Sequence, residues 1–207
     1  ICLPCPACTR NSVACTMRRR HLRKQFRPSL PRRAIVWFPK FEAPEGLLRL
    51  QRYRLEHDPL GAKIAPHLAV VFPFHASLTV VQLVSHVKRA TVGWPVLPVT
   101  FCGVESVASP RGLFTLLMCD LRHEAVTELH DRLYRGVLAG FLRDDIEYRP
   151  HITLAQSNTN AAFDAALADA ELRFRDTYRA TMRDLSIITH AADGTITIDK
   201  TVSLSRE

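Results

Sequence analysis

The chain has 207 residues, 47% of them hydrophobic, which is enough to bury the core of one sizeable domain. No apolar run approaches the ~20 residues that a membrane-crossing helix needs. The formal net charge of +8 suggests a nucleic-acid binder, but nine of the 28 lysines and arginines lie in residues 1–33, which contain no acid. The remainder carries 19 bases against 20 acids, so we expect any attraction of anions by the folded part to be local.

Residues 1–33 form a leader rich in proline, arginine and cysteine, without the apolar periodicity of a helix or strand. We therefore expect this basic leader to be disordered and residues 34–207 to form the folded domain. The spacing Cys2-x-x-Cys5-x-x-Cys8 resembles a run of metal ligands, but prolines interrupt it and no distal Cys or His cluster completes it. The sequence thus predicts neither a metal site nor a cofactor.

The first half of the folded domain follows the order strand, helix, strand, helix. Pro44 suits the first turn of a helix. Thr79 and Gln82 have the form of a capping box, in which two side chains satisfy free backbone N–H groups at a helix start. The predicted elements are a strand at 34–38, a helix at 44–57, a strand at 66–72 and a helix that ends near 90.

The second half repeats this alternation and ends in a hairpin. Asn158 or Thr159 can cap a helix, and Asp193-Gly194 is a favoured tight-turn pair. The predicted elements are strands at 96–104 and 113–119, a helix at 121–141, a strand at 148–154, a helix ending near 171, and hairpin strands at 182–189 and 195–204. The whole pattern indicates an α+β fold.

Two short runs of similar sequence stand out, each with a proline ahead of an apolar, β-branched stretch. They are Pro66-His67-Leu68-Ala69-Val70 and Pro150-His151-Ile152-Thr153-Leu154. Each reads as the start of a strand, where proline is tolerated. Side chains at i and i+2 of a strand share a face, so His151 and Thr153 point the same way, as do His67 and Ala69. We predict that both histidines face one cleft.

Two facing histidines suit the cleavage of a phosphodiester at a ribose. One imidazole takes a proton from the attacking oxygen and the other gives one to the leaving oxygen, because an ordinary pKa near 6.5 populates both protonation states. The Thr153 hydroxyl can donate to non-bridging phosphate oxygens, where charge concentrates in the transition state. The sequence has no H-E-x-x-H metal motif and no G-x-S-x-G nucleophile elbow.

Pro66 to Phe74, preceded by Asp58-Pro59-Leu60 and paired with Pro150 to Leu154, resembles the two-histidine phosphoesterases of the 2′-5′ RNA ligase-like group. In element order the resemblance covers about residues 34–204. It implies a duplicated α+β fold of two lobes, each an antiparallel-rich sheet with helices on its outer face. The H-x-T strands of such a fold line a central cleft that hydrolyses RNA 2′,3′-cyclic phosphates or related cyclic nucleotides.

The same resemblance implies that His67 and His151 are the acid–base pair and that Thr153 binds phosphate. The sequence departs from the family pattern at Ala69, which replaces a hydroxyl residue in the first motif. Gln156 also stands where relatives often carry a basic residue. Both departures weaken the expected grip on phosphate.

Three further residues are candidates for substrate contact. Ser77, in the rival run His75-Ala76-Ser77-Leu78, supplies the hydroxyl that the first motif lacks, although the capping box places it in a loop. Phe72 and Tyr148 flank the motifs and could stack on a base. Aromatic residues beside a central strand more often belong to the core.

The sequence as a whole predicts a monomeric, cytoplasmic phosphoesterase that acts on RNA or a cyclic nucleotide without a metal and without a membrane partner. One alternative is an RNA- or nucleotide-binding module that has lost its chemistry because of Ala69. Another is a structural or partner-binding protein that binds its partners only through the basic leader.

Overall fold

The computed structural model describes residues 30–110, 112–120 and 124–204. The leader that we expect to be disordered, residues 1–33, lies outside the described residues except for positions 30–33. The strands are β1 (Arg32–Trp37), β2 (Leu68–His75), β3 (Leu97–Ser109), β4 (Gly112–Cys119), β5 (His151–Ser157), β6 (Tyr178–Met182), β7 (Asp184–His190) and β8 (Ile196–Ser203). The helices are α1 (Pro44–His57), α2 (Val80–Ala90), α3 (Glu124–Leu133), a 3₁₀-helix (Gly136–Phe141) and α4 (Asn160–Arg173).

The helix starts follow from local sequence, as predicted. Pro44 opens α1, where a missing backbone N–H costs nothing. Thr79 and Gln82 form both hydrogen bonds of the capping box at α2. The Thr159 hydroxyl accepts a hydrogen bond from the backbone N–H of Ala162 and so caps α4.

Two predicted elements are each divided in the structure. The helix expected at 121–141 is wrong as a single element, because α3 ends at Leu133 and Gly136, with a φ of 61°, starts a separate 3₁₀-helix. The strand expected at 182–189 corresponds to β7 but crosses a break, since β6 ends at Met182 and β7 begins at Asp184, and most of β6 was not predicted. In addition, β1 begins at Arg32, two residues before the predicted domain boundary.

The eight strands form one sheet in the order β6-β3-β4-β5-β2-β1-β7-β8, and all neighbouring strands are antiparallel. At the centre, β2 and β5 pair only through Leu68 and Ile152. This short junction divides the sheet into two four-stranded blocks. The two histidine motifs lie at the junction.

The helices cover the two blocks in pairs. Helices α1 and α4 pack on the β6-β3-β4-β5 block, whereas α2 packs on β7 and β8 and α3 on β2. Neither block corresponds to one half of the chain, because β7 and β8 from the C-terminal part join β1 and β2. None of the helices in the described part of the chain is both long and apolar enough to cross a membrane.

Candidate active site

The antiparallel register brings the two motifs together on one face of the sheet. Leu68 and Ile152 are fully buried in the main core. Continuing their pairing by one residue in each direction sets His67 opposite Thr153 and Ala69 opposite His151. Side chains alternate along a strand, so these four point away from the core. We call this surface the site face.

The spacing of the two histidines on the site face suits a phosphate. His67 and His151 are diagonal neighbours across the β2–β5 junction, and such neighbours lie roughly 7–8 Å apart between backbones. Both imidazoles are half-buried. Two side chains that extend from the same face at this backbone spacing can both reach one tetrahedral group.

The two imidazoles are oriented in the same way. Nδ1 of His67 is 3.0 Å from the carbonyl oxygen of Ala65, and Nδ1 of His151 is 2.5 Å from that of Arg149. Because a carbonyl can only accept, Nδ1 donates in both cases, and the neutral ring keeps its lone pair on Nε2. Each motif therefore presents Nε2 as the atom that can exchange a proton.

Burial lowers the pKa of both histidines. The pKa of His67 falls to about 4, mainly through burial and to a smaller extent through the positive charges of Arg54 and His151. Burial and the nearby Arg149 guanidinium lower the pKa of His151. In both rings the backbone hydrogen bond opposes this shift. Both imidazoles are thus neutral at pH 7 when no anion is bound.

A buried ion pair anchors the loop that leads to His67. Arg54 and Asp58 are 1% and 8% exposed, and their side chains approach to 2.7 Å. Arg54 also donates to the carbonyl oxygen of Ile64, and Asp58 accepts from the backbone N–H of Leu60. Sequence reasoning found Asp58 only through the family resemblance and missed Arg54, although an Arg–Asp pair at i and i+4 of a helix was the available signal.

Arg149 is a second residue that sequence reasoning missed. It lies two residues before His151, on the same side of an extended segment. Its guanidinium forms an ion pair with Glu105. Glu105 pairs with Leu116 on β4, which pairs with Thr153 on β5, so Glu105 and Thr153 lie in one row of the site face. The Glu105 backbone thus lies about two strand spacings, roughly 10 Å, from that of Thr153, and the Glu105 carboxylate holds the Arg149 cation.

The two aromatic residues predicted as candidates for substrate contact, Phe72 and Tyr148, pack against each other and against His130. Tyr148 stacks on His130 at 3.6 Å between ring centroids, and Phe72 contacts both rings edge-on. The Tyr148 hydroxyl donates to the carbonyl oxygen of Ala69. Tyr148 therefore supports the backbone of the first motif. This packing does not favour a role for Tyr148 in substrate binding.

Ser77 lies far from the histidines and is not brought to the site face. It is exposed in the loop after β2, at the end of that strand opposite His67. Ser77 is ten positions after His67, and the eight residues of β2 alone extend roughly 25 Å. This position does not support the alternative in which Ser77 supplies the hydroxyl that the first motif lacks.

A family model and several relatives match this chain. A family model described as the 2′-5′ RNA ligase superfamily matches residues 39–194. A candidate phosphoesterase of Geobacillus sp. strain WCH70 is 27% identical over 54% of the chain, and the match spans 62% of that relative. A candidate phosphoesterase of Geobacillus kaustophilus is 22% identical over 72% of the chain and 84% of its own length.

Solved structures share the fold at low identity. Apo LigT of Escherichia coli has a TM-score of 0.53 and 16% identity, over 85% of this chain and 98% of LigT. LigT complexed with 3′-AMP gives a TM-score of 0.54 at 15% identity, over 85% and 99%. The TT0787 protein of Thermus thermophilus gives 0.55 at 15% identity, over 84% and 97%.

Proposed function

The chain belongs to the 2′-5′ RNA ligase superfamily, and from this membership and the geometry of the site face we propose that it is a metal-independent phosphoesterase. Its substrate is an RNA terminal 2′,3′-cyclic phosphate or a related cyclic nucleotide. The observation that carries the proposal is the pair of imidazoles on adjacent central strands, each with Nδ1 bonded to a backbone carbonyl two residues earlier. The candidate phosphoesterases among its relatives and the 3′-AMP complex of LigT agree with this chemistry.

In the proposed reaction His67 is the base and His151 is the acid. His67 takes this role because its pKa of about 4 keeps Nε2 unprotonated at neutral pH. It accepts a proton from water as the water oxygen bonds to phosphorus. The bond from phosphorus to one ribose oxygen then breaks, and His151 protonates that oxygen through Nε2. The bound phosphate anion favours the protonated form of His151.

Thr153 and Arg149 stabilise the negative charge of the transition state in this mechanism. The Thr153 hydroxyl, opposite His67, donates to a non-bridging oxygen. Arg149 supplies positive charge from the neighbouring row, in place of the basic residue that Gln156 replaces. Its ion pair with Glu105 competes with the substrate for the guanidinium.

The proposal is tested with an RNA oligonucleotide that ends in a 2′,3′-cyclic phosphate, in the presence of EDTA. We expect ring opening by the native protein and a loss of about 10²–10⁴ in kcat for His67→Ala and for His151→Ala, the usual range of acid–base catalysis. His75→Ala is the control, because His75 lies in the rival run at the exposed end of β2. Circular dichroism verifies folding. Unchanged turnover in His151→Ala would refute the mechanism.

A second function is supported by Ala69, which leaves the position opposite His151 without a hydroxyl. On that basis the protein binds RNA or nucleotides and turns them over weakly or not at all. Ala69→Thr restores a donor, and Ala69→Val is a control of similar size without one. A gain of about 10²–10³ in kcat for the threonine variant alone identifies an enzyme with a missing donor. Nucleotide binding without turnover in all three proteins favours the binding module.

A further inference from the structure

The short β2–β5 junction leaves most of β2 without a partner strand on that side. Within the described part of the chain the two strands pair at Leu68 and Ile152 alone, although β2 is eight residues long. Backbone N–H and C=O groups that lack a ladder partner need another hydrogen bond where they are buried. The position of β2 relative to β5, and with it the spacing of the two histidine motifs, therefore depends on other contacts.

Two aromatic side chains supply hydrogen bonds to consecutive carbonyl groups of β2. The Tyr148 hydroxyl donates to the carbonyl oxygen of Ala69 at 3.1 Å, and Nδ1 of His130 donates to that of Val70 at 2.7 Å. Ala69 is the residue opposite His151 when the register is continued. The Tyr148 hydroxyl therefore bonds to the backbone at the point where the two motifs meet.

The rings that make these bonds pack into one unit with Tyr134. His130 stacks on Tyr148 with 3.6 Å between ring centroids and 13° between ring planes. Tyr134 lies one helical turn after His130, contacts its ring edge-on, and accepts a hydrogen bond from the backbone N–H of Phe72. Tyr148 is three residues before His151. The three residues His130, Tyr134 and Tyr148, which we call the aromatic cluster, thus join the first motif strand to α3 and to the segment that leads into the second motif.

We propose that the aromatic cluster fixes the distance between the two catalytic imidazoles, in place of the strand ladder that β2 and β5 lack. Tyr148 and His130 are positioning residues in this account, because they act through the backbone of the first motif. Small changes in separation matter, since a misplacement of about 1 Å can lower a rate by about 10². The inference rests on the proposed function and states how that site is held in its reactive geometry.

Tyr148→Phe tests the positioning role, because it removes the hydroxyl and keeps the ring. We expect kcat for an RNA 2′,3′-cyclic phosphate to fall about tenfold and KM to stay within about twofold, since Thr153 and Arg149 still bind the phosphate. Tyr53→Phe is the matched control, because the Tyr53 hydroxyl is also buried and donates to a backbone carbonyl, that of Ala166, at 2.6 Å. It should lower stability in urea and leave kcat unchanged. An unchanged kcat in Tyr148→Phe, or a higher KM alone, would overturn the positioning role.

Two substitutions of His130 test its hydrogen bond separately from its packing. His130→Asn places an amide N–H donor near the position of Nδ1, whereas His130→Leu leaves the Val70 carbonyl buried without this donor. We expect kcat to fall about tenfold in the leucine variant and to lie within about threefold of the native value in the asparagine variant. Equal losses in two folded variants would remove His130 from the positioning role. If the leucine variant does not fold, Tyr148→Phe decides alone.

Hydrogen exchange of the junction amides, residues 67–69 and 151–153, tests the inference without turnover. Their exchange should be about fivefold faster in Tyr148→Phe, the effect of one lost hydrogen bond, and native in Tyr53→Phe. Equal exchange in the native protein and Tyr148→Phe would overturn the inference, whatever the activity.

The outcome separates from that of the proposed function. If the junction exchanges faster in Tyr148→Phe but the native protein does not open the cyclic phosphate, the hydrolytic function fails and the aromatic cluster still sets the spacing of the two motifs. If ring opening proceeds and is equally fast in Tyr148→Phe, the function stands and the positioning role fails.

Discussion

At the scale of single residues, His67 and His151 lie in similar motifs but have different charged groups near them. His67 lies near the Arg54–Asp58 pair, whose two charges act on its pKa in opposite directions. His151 lies near Arg149, whose positive charge opposes protonation. Both rings are also partly desolvated. The proposed acid therefore depends on a bound phosphate to hold its proton.

These pKa shifts predict an acidic optimum for kcat/KM, which reports the free enzyme. His67 must be neutral, a condition met above its pKa of about 4. His151 must be protonated, and burial places its pKa below the ordinary 6.5. The form with neutral His67 and protonated His151 is thus most abundant below pH 6.5. Steady-state rates from about pH 3.5 to 9 should peak below pH 6.5, and a maximum above about pH 7.5 would contradict the assignment of base and acid.

The Glu105–Arg149 pair predicts an activating substitution. Glu105→Gln removes the carboxylate that competes for Arg149, so KM for a cyclic-phosphate RNA should fall by up to about fivefold, since exposed ion pairs are worth about 0–1 kcal/mol. Arg149→Gln should raise KM. Asp169→Asn, which removes the partner of Arg173 on α4, is the control. A higher KM in Glu105→Gln would show that the pair supports the site rather than competing with substrate.

At the scale of elements, α1 and the loop after it determine where the first motif begins. The buried Arg54–Asp58 pair joins the last turn of α1 to the backbone of residues 60–64. Gln51 adds a hydrogen bond to the carbonyl oxygen of Gly61. The position of His67 is thus coupled to a helix that packs on the other block of the sheet.

Asp58→Asn should be strongly destabilising. It leaves the Arg54 charge buried without compensation, which typically costs about 3–5 kcal/mol. Urea unfolding measures the loss, and kcat should fall because the loop before His67 is released. Asp176→Asn breaks the exposed pair with Arg49 and should cost no more than about 1 kcal/mol. Equal losses in the two variants would contradict a special role for the buried pair.

The helices that carry their own start signals were predictable from sequence. Pro44, Thr79 and Thr159 mark their helices correctly, because capping is a local interaction. The division of the predicted 121–141 helix was not recognised, since apolar spacing continues across the turn at Gly136. The break at Arg183 was missed for a different reason. Its flanking strands have similar β-forming sequences but belong to opposite blocks of the sheet.

For the candidate site, the H-x-T spacing correctly predicts that His151 shares a face with Thr153. It does not predict that the two motif strands are direct neighbours, because strand pairing over 84 residues depends on the packing of the whole sheet. Arg149 was detectable by the same i, i+2 rule. The contribution of Glu105 from β3 was not, since it depends on the register of three strands.

At the scale of the whole molecule, both ends of the domain combine to build one site. The block that carries the first motif is completed by β7 and β8, which come from the C-terminal part of the chain. Within the sheet, the strands of the two blocks pair only at Leu68 and Ile152. The relative position of the two imidazoles therefore depends on how the entire sheet assembles.

The central claim is that His67 and His151 hold one phosphate between them. The most direct measurement is ¹⁵N NMR of the two imidazoles during titration with adenosine 2′-phosphate, assigned with His67→Ala and His151→Ala. We predict Nδ1–H tautomers for both rings in the free protein, and a change in both Nε2 resonances, with both pKa values raised, on binding. A response of only one ring, or of neither, would contradict the account.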